Sequence, residues 1–319
     1  MKKSVDTEEF IENTKKDLEK KIKDMITDKH ILSVLEGKKR LRALLSQLAY
    51  KACTQGEETS QQYQKALEGS VVIELAHAAA LVHDDIIDQD CERRNKPAYL
   101  VKNGVAGTLL TGHKMLAIGF SVALKHGDEW ARLYVDSWDE VVNGVLDEIN
   151  LNKNGFSNDL ISSKSKKVDA YNKKIEQKTA ALFSSVCKAG ALEAAISGDA
   201  LKVFEDYGQE IGLAYQLADD LVDLANGEMR EDAIILLLKR LEDIGTKINA
   251  LKKKELKRKF AKNKDNIQEI FIEEINKHIE KAEESGKSKI IPDSPYKDLL
   301  AEFPRYIINE MLKEIKIAV

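Results

Sequence analysis

Proline is absent between Pro97 and Pro292, which leaves about two hundred consecutive residues without it. Proline removes a helical N–H and clashes with the preceding turn, so a proline-free stretch of that length reads as successive helices. We expect an all-α protein. With 319 residues and 43% hydrophobic content the chain can bury a large core, and no Gly/Ser/Pro-rich linker divides it. A single helical domain over 1–319 is therefore expected. Apolar periodicity places helices over about Thr7–Asp28, Leu44–Cys53, Gln62–Asp88, Ala106–Lys125, Glu129–Asn150, Lys167–Ser197 and Ala200–Ala225. Polar turns fall at Glu36–Arg42 and Asp90–Pro97.

Two of these helices end in acid. DDIID at Asp84–Asp88 closes IELAHAAALVHDDIID, and DDLVD at Asp219–Asp223 closes IGLAYQLADDLVDLA. At 3.6 residues per turn Asp84 and Asp88 share a face, as do Asp219 and Asp223, with Asp85 and Asp220 beside them. The neighbouring residues are apolar on most sides, and ionised carboxylates among them are costly unless something pairs them. No basic residue lies within a turn of either triplet. A hard divalent cation resolves the conflict, and all-oxygen ligands suit magnesium, which is held by a few carboxylates together with phosphate oxygens. The implied substrate is a diphosphate, and the two triplets would have to face each other to share it.

Charge and cysteine usage exclude other classes. Fifty Lys and Arg against 54 Asp and Glu give a net charge of −4, which makes no electrostatic case for nucleic acid. The most basic run, Lys252–Lys264, is threaded by Leu251, Leu256 and Phe260 and reads as a solvated amphipathic helix. Cys53, Cys91 and Cys187 are far apart and lack metal-ligand spacing, so they read as reduced thiols. The first twenty residues carry charges but no apolar core for export, and no uncharged apolar run reaches spanning length. We expect a soluble cytoplasmic protein with no transmembrane segment.

Cations suited to gripping phosphate accompany the acids: GKKRLR at Gly37–Arg42, the pair Arg93 and Arg94 after DDIID, and Lys178 in QKTAALF. Arginine forks match phosphate bidentately and lysine acts as a point charge, so the mixture suits two anionic groups held in different ways. In order the chain shows GKKRLR, ELAHAAALVHDDIIDQDCERRNKP, KTAALF, AYQLADDLVD and the tail PDSPYKDLL. Over nearly its whole length it resembles the trans-isoprenyl diphosphate synthases, the polyprenyl synthetase family that includes farnesyl and geranylgeranyl diphosphate synthases.

The resemblance implies a single-domain helical bundle of the isoprenoid synthase type around a central, metal-lined cavity. It implies that Asp84, Asp85, Asp88, Asp219, Asp220 and Asp223 ligate several magnesium ions bridging to an allylic diphosphate, and that Arg93 and Lys178 hold that same group. Lys39, Arg42, His77 and Arg94 fall where the family binds isopentenyl diphosphate. Thr179 and Gln216 match positions near the reacting carbon. The activity implied is condensation of an allylic diphosphate with isopentenyl diphosphate into a longer trans-prenyl diphosphate, by a homodimer. Two other readings remain open, a non-catalytic partner subunit of a prenyl synthase and a terpene cyclase. The chain departs from the family pattern at Lys38 and Ala43, where Gly and Pro are usual, at Asn95 for Gly, and at His113 for an aspartate. After Asp223 the segment LANGEMREDAIILLL is short and has Arg230 as its one cation.

Product length is read from the helix leading into DDIID. Ala76, Ala79 and Ala80 lie at i, i+3 and i+4, so their small side chains make one groove along a face, with Val72 and Ile73 a turn further on. Short-chain members of the family place bulky aromatic residues at the positions of Ala79 and Ala80. Their absence leads us to expect a product longer than farnesyl, geranylgeranyl diphosphate or beyond.

Overall fold

The structure, a computed structural model, describes residues 5–93, 96–153, 175, 179–227, 237 and 253–319. Among the described residues it is all-α apart from one short ladder. The elements are α1 (Thr7–Met25), α2 (Lys29–Leu35), α3 (Leu41–Thr54), α4 (Ser60–Ile87), β1 (Glu92–Arg93), β2 (Lys96–Pro97), α5 (Tyr99–His126) and α6 (Asp128–Lys153). After these come α7 (Ala181–Glu193), α8 (Asp199–Ala225), α9 (Lys253–Lys262), α10 (Lys264–Gly286) and α11 (Pro295–Leu312), with a final 3-10 turn at Lys313–Ile315. The chain packs as two compact units. The first comprises Met1–Trp138, Ser185–Phe204 and Lys289–Leu299, and the second Asp139–Ser184, Glu205–Ser288 and Leu300–Val319.

In the first unit α4 is the central element. Its start is fixed by a capping box, in which Gln62 N donates to Thr59 Oγ1 and Thr59 N donates to Gln62 Oε1. From Val71 to Leu75 every residue is buried, so no face of this stretch meets solvent. Helix α1 buries Phe10, Thr14, Leu18 and Ile22, one residue per turn, and its Asp6 cap accepts from Glu9 N at 2.9 Å. Ile22, Ile31, Val34 and Leu35 of α1 and α2 form one apolar cluster with Val71, Leu75, Ala78, Ala79 and Val82 of α4 and Met115 of α5. Helix α5 lies along α4, and Gly112 makes the close approach possible: a Cβ there would sit 2.2 Å from His83 Nε2.

Two elements differ from the sequence reading. Helix α2, seven residues long, occupies part of the segment left between Asp28 and the basic turn; Asp28 caps it by accepting from His30 N and Ile31 N. Helix α5 begins at Tyr99 rather than Ala106, because the chain turns helical before Gly104 and breaks there, at φ 66° and ψ 172°. Periodicity registered only the longer part, beyond the break.

In the second unit α8 is the spine. Leu213, Leu217 and Leu221 of α8 pack with Ile267, Phe271, Ile275 and Ile279 of α10 and with Ile308 and Leu312 of α11. Ser294 and Pro295 start α11 as cap and first helical residue, positions where proline costs no hydrogen bond. The basic run expected as one helix is interrupted at Asn263, between α9 and α10. Part of the expected helix Lys167–Ser197 and the part of the segment after Asp223 that carries Arg230 lie outside the described residues.

Candidate active site

The first acid triplet occupies the last turn of α4. Asp85 is buried with 2% exposure, Asp84 is half-buried and Asp88, the C-cap residue, is exposed. The chain then reverses tightly: Asp88 N donates to Asp84 O at 2.8 Å, Asp90 N to Asp85 O at 3.0 Å, and Gln89 takes a left-handed φ of 55°. The turn leads into the two-stranded ladder Glu92–Arg93 with Lys96–Pro97, closed by Ala98 N donating to Cys91 O. The backbone of Arg93 is therefore placed directly after the acids. The Arg93 side chain, Arg94 and Lys178 lie outside the described residues.

His83, one residue before Asp84, meets His113 edge-on with ring centroids 5.3 Å apart. Burial, more than the charge of His113, pushes the His83 imidazole below its ordinary range. The histidine that departs from the family pattern thus packs at the end of the acid helix, on the exposed side of α5.

The basic motif forms the α2–α3 connection. Two residues there have left-handed backbone, Gly37 at φ 69° and Arg40 at φ 61°. Glycine adopts this freely, whereas for arginine it costs about 1 kcal/mol or more, so the position must be held by something else. Arg40 donates from Nε to Glu19 Oε1 at 2.8 Å, from Nη1 to Glu74 Oε2 at 3.0 Å and from Nη2 to Leu35 O at 2.7 Å. Burial pulls its guanidinium pKa down, and the Glu19 hydrogen bond and Glu74 charge more than offset that. Lys39 is exposed. Arg42, in the first turn of α3, brings Nη1 to 3.1 Å from His77 Nε2 on α4. Arginine cannot accept, so His77 Nε2 is the acceptor and carries no proton in this arrangement. Sequence reasoning joined Arg42 to His77 only through the resemblance; the structure makes them neighbours. Arg40 and its partner Glu74 were not recognised, and the left-handed backbone that marks Arg40 has no sequence signature.

The second unit holds the other acids. Residues 179–180 form a π-turn before α7. Gly208 and Gly212, one turn apart on α8, let that turn approach: added Cβ atoms would lie 2.3 Å from Phe183 O and 2.5 Å from Ala180 Cα. The approach brings Thr179 Oγ1 within 2.9 Å of Gln216 Oε1, to which it donates, and Gln216 Nε2 donates in turn to Asp220 Oδ1 at 3.3 Å. Asp220 is 3% exposed, and Asp219 and Asp223 are half-buried. Each triplet therefore has one buried carboxylate beside two more open ones.

The side chains of both triplets offer only carboxylate oxygens, the donor type that a hard cation takes. Among the described residues no three His, Cys, Asp or Glu side chains converge into a closed cage. Of the three alanines, Ala79 is fully buried in the cluster with Met115, while Ala76 and Ala80 are partly exposed.

Residues 24–284 match the family model for polyprenyl synthetases. The chain belongs to the polyprenyl synthetase family. Among relatives, it is 27% identical over 295 residues to a geranylgeranyl diphosphate synthase of Methanosarcina mazei, covering 86% of each chain. It is 25% identical to a geranylfarnesyl diphosphate synthase of the same organism, covering 88% of this chain and 84% of the relative. Among solved structures, a polyprenyl synthase from Caulobacter crescentus, complexed with calcium and isoprenyl diphosphate, superposes with a TM-score of 0.74 at 21% identity, covering 97% of this chain and 99% of the other. A geranylgeranyl pyrophosphate synthetase from Geoglobus acetivorans gives 0.74 at 22% identity, over 94% and 99%. These neighbours share the family's all-α fold.

Proposed function

We propose that this polyprenyl synthetase condenses an allylic diphosphate with isopentenyl diphosphate, giving a longer trans-prenyl diphosphate and inorganic diphosphate. Residues 1–319 are taken as one catalytic domain, since the family pattern runs through both units. The observation that carries the reading is the link from Thr179 through Gln216 to Asp220 of the second acid triplet, beside the contact of Arg42 with His77, which lies two turns before the first triplet on α4. A terpene cyclase would have no second diphosphate for the basic motif to bind.

The six aspartates are assigned to magnesium and, with it, to the allylic diphosphate; the metal supplies neutralisation of the charge that builds on the leaving group. Arg93 and Lys178 are assigned to the same diphosphate, and Lys39, Arg42, His77 and Arg94 to isopentenyl diphosphate. Thr179 and Gln216 present a hydroxyl and an amide whose oxygens favour positive charge on the allylic carbon. That carbon loses its bond to the diphosphate oxygen and gains one to the terminal alkene carbon of isopentenyl diphosphate. A proton then leaves the neighbouring methylene, with the departing diphosphate as acceptor. Positioning of the two substrates does the work that a protein nucleophile does elsewhere.

The product assigned is geranylgeranyl diphosphate or longer, from the small residues at Ala76, Ala79 and Ala80. We also propose a homodimer that covers the outer face of α5. Val101, Val105, Leu109, Leu110, Phe120 and Leu124 are exposed there. Helix α5 is the one helix among the described residues long and apolar enough to cross a membrane. Near its middle, however, Lys114 pairs with Asp28 at 2.5 Å, a charged contact that a bilayer core would penalise. A second copy meets the apolar face without that cost. The test of function is direct: the purified chain, given magnesium, farnesyl diphosphate and isopentenyl diphosphate, is expected to release diphosphate and yield a C20 or longer product by mass spectrometry. No magnesium-dependent diphosphate release would overturn the reading.

A further inference from the structure

We propose that Arg40 is a positioning residue for isopentenyl diphosphate, an internal strut of the basic motif rather than one of its phosphate ligands; this rests on the function proposed above. Arg40 stands at the centre of GKKRLR and by sequence is as good a phosphate ligand as its neighbours. Its side chain is 1% exposed. Its partners come from three helices: Glu19 of α1, the last carbonyl of α2 at Leu35, and the buried Glu74 of α4. A helix leaves its final carbonyls without partners, so the bond to Leu35 O closes the end of α2. Two carboxylates already surround the guanidinium, and an incoming anion would have to displace bonds and face their charge.

The backbone of the same residue starts α3. Arg40 O accepts from Leu44 N at 2.9 Å, and α3 has no side-chain cap to hold its first turn otherwise. Arg42 sits in that turn, two residues on. Its contact His77 lies one turn along α4 from Glu74, the residue that anchors Arg40. Arg40 and Arg42 thus dock the start of α3 on α4 at consecutive turns, the first through a buried ion pair and the second through the imidazole. Left-handed backbone at residue 40 also sets the direction of the preceding residue, Lys39, which is exposed. The planar fork meets the three acceptors from three separate nitrogens, Nε, Nη1 and Nη2, a spread that the single nitrogen of a lysine does not reproduce.

The experiment is steady-state kinetics of Arg40→Lys beside the wild type, varying each substrate separately. The expected result is a rise of about tenfold or more in KM for isopentenyl diphosphate, with KM for the allylic substrate and kcat within about twofold. An unchanged KM for isopentenyl diphosphate in a folded variant, or equal rises for both substrates, overturns the positioning role. Should Arg40→Lys not fold, Glu19→Gln carries the test, because Glu19 is 45% exposed and its loss leaves Glu74 paired. That variant is expected to raise the same KM about threefold, and a wild-type value would overturn the proposal. Lack of turnover by the wild type itself would instead overturn the enzymatic reading, so the two failures are distinct.

Discussion

Asp85 and Asp220 are 2% and 3% exposed, while the acids beside them are more open. Asp84 and Asp219 are each among the more open acids of their triplets, so on the proposed metal assignment their loss would remove a ligand with little change in packing. Asp84→Ala and Asp219→Ala are each expected to lower kcat by roughly a hundredfold or more while shifting stability by less than ~1 kcal/mol. Near-normal turnover in either would remove the metal assignment. A second residue-scale prediction concerns Glu193, which accepts from His126 Nδ1 at 2.6 Å and Lys65 Nζ at 3.0 Å. Burial works to raise its carboxyl pKa, but the His126 hydrogen bond and charge, then Lys65, bring it below its ordinary value of 4.5. A depressed carboxylate contributes stability above its unfolded pKa and loses it as pH falls through the folded value. Urea melts of the wild type should therefore weaken below about pH 4.5. Glu193→Gln should be less stable by about 1–3 kcal/mol at pH 7 and fall less steeply in acid. An acid limb of equal slope in the variant would show that Glu193 is not the group titrating.

At the scale of elements, α4 carries His77, the three alanines and the first acid triplet on one helix, as its periodicity foretold. Periodicity could not say which alanine was already occupied. Ala79 sits in the cluster with Met115, where a phenylalanine would overpack the core at a cost of about 1–3 kcal/mol. Ala80 is partly exposed and is the better probe. Ala80→Phe is expected to shorten the main product by at least one isoprene unit in mass spectrometry, with little loss of stability. The same product distribution from a folded, active variant would remove Ala80 from the wall of the growing chain. The α7–α8 crossing behaves differently from α4. Its geometry depends on Gly208 and Gly212, whose role is visible only once Phe183 O and Ala180 Cα are seen within 2.5 Å of the Cβ positions they lack.

For the whole molecule, the proposed dimer rests on the outer face of α5. Leu110 is 65% exposed on that face, so Leu110→Asp should leave the fold intact and convert a dimer to a monomer in light scattering. A monomeric wild type would sink the dimer proposal. Much of the fold, and the residues of the candidate site, could be read in the chain itself. The proline-free stretch and apolar periods pointed to an all-α fold, and two acid triplets on apolar helices led to the expectation of cations, because helix spacing and the cost of buried charge are local properties. The order of the motifs then identified the family. Tertiary structure alone decided what depends on residues far apart in sequence. It put Arg42 against His77, linked Thr179 through Gln216 to Asp220, enclosed Ala79 and left Ala80 open. It also separated Arg40 from the cations beside it, since only packing against Glu19, Leu35 and Glu74 turns one arginine of a basic run inward.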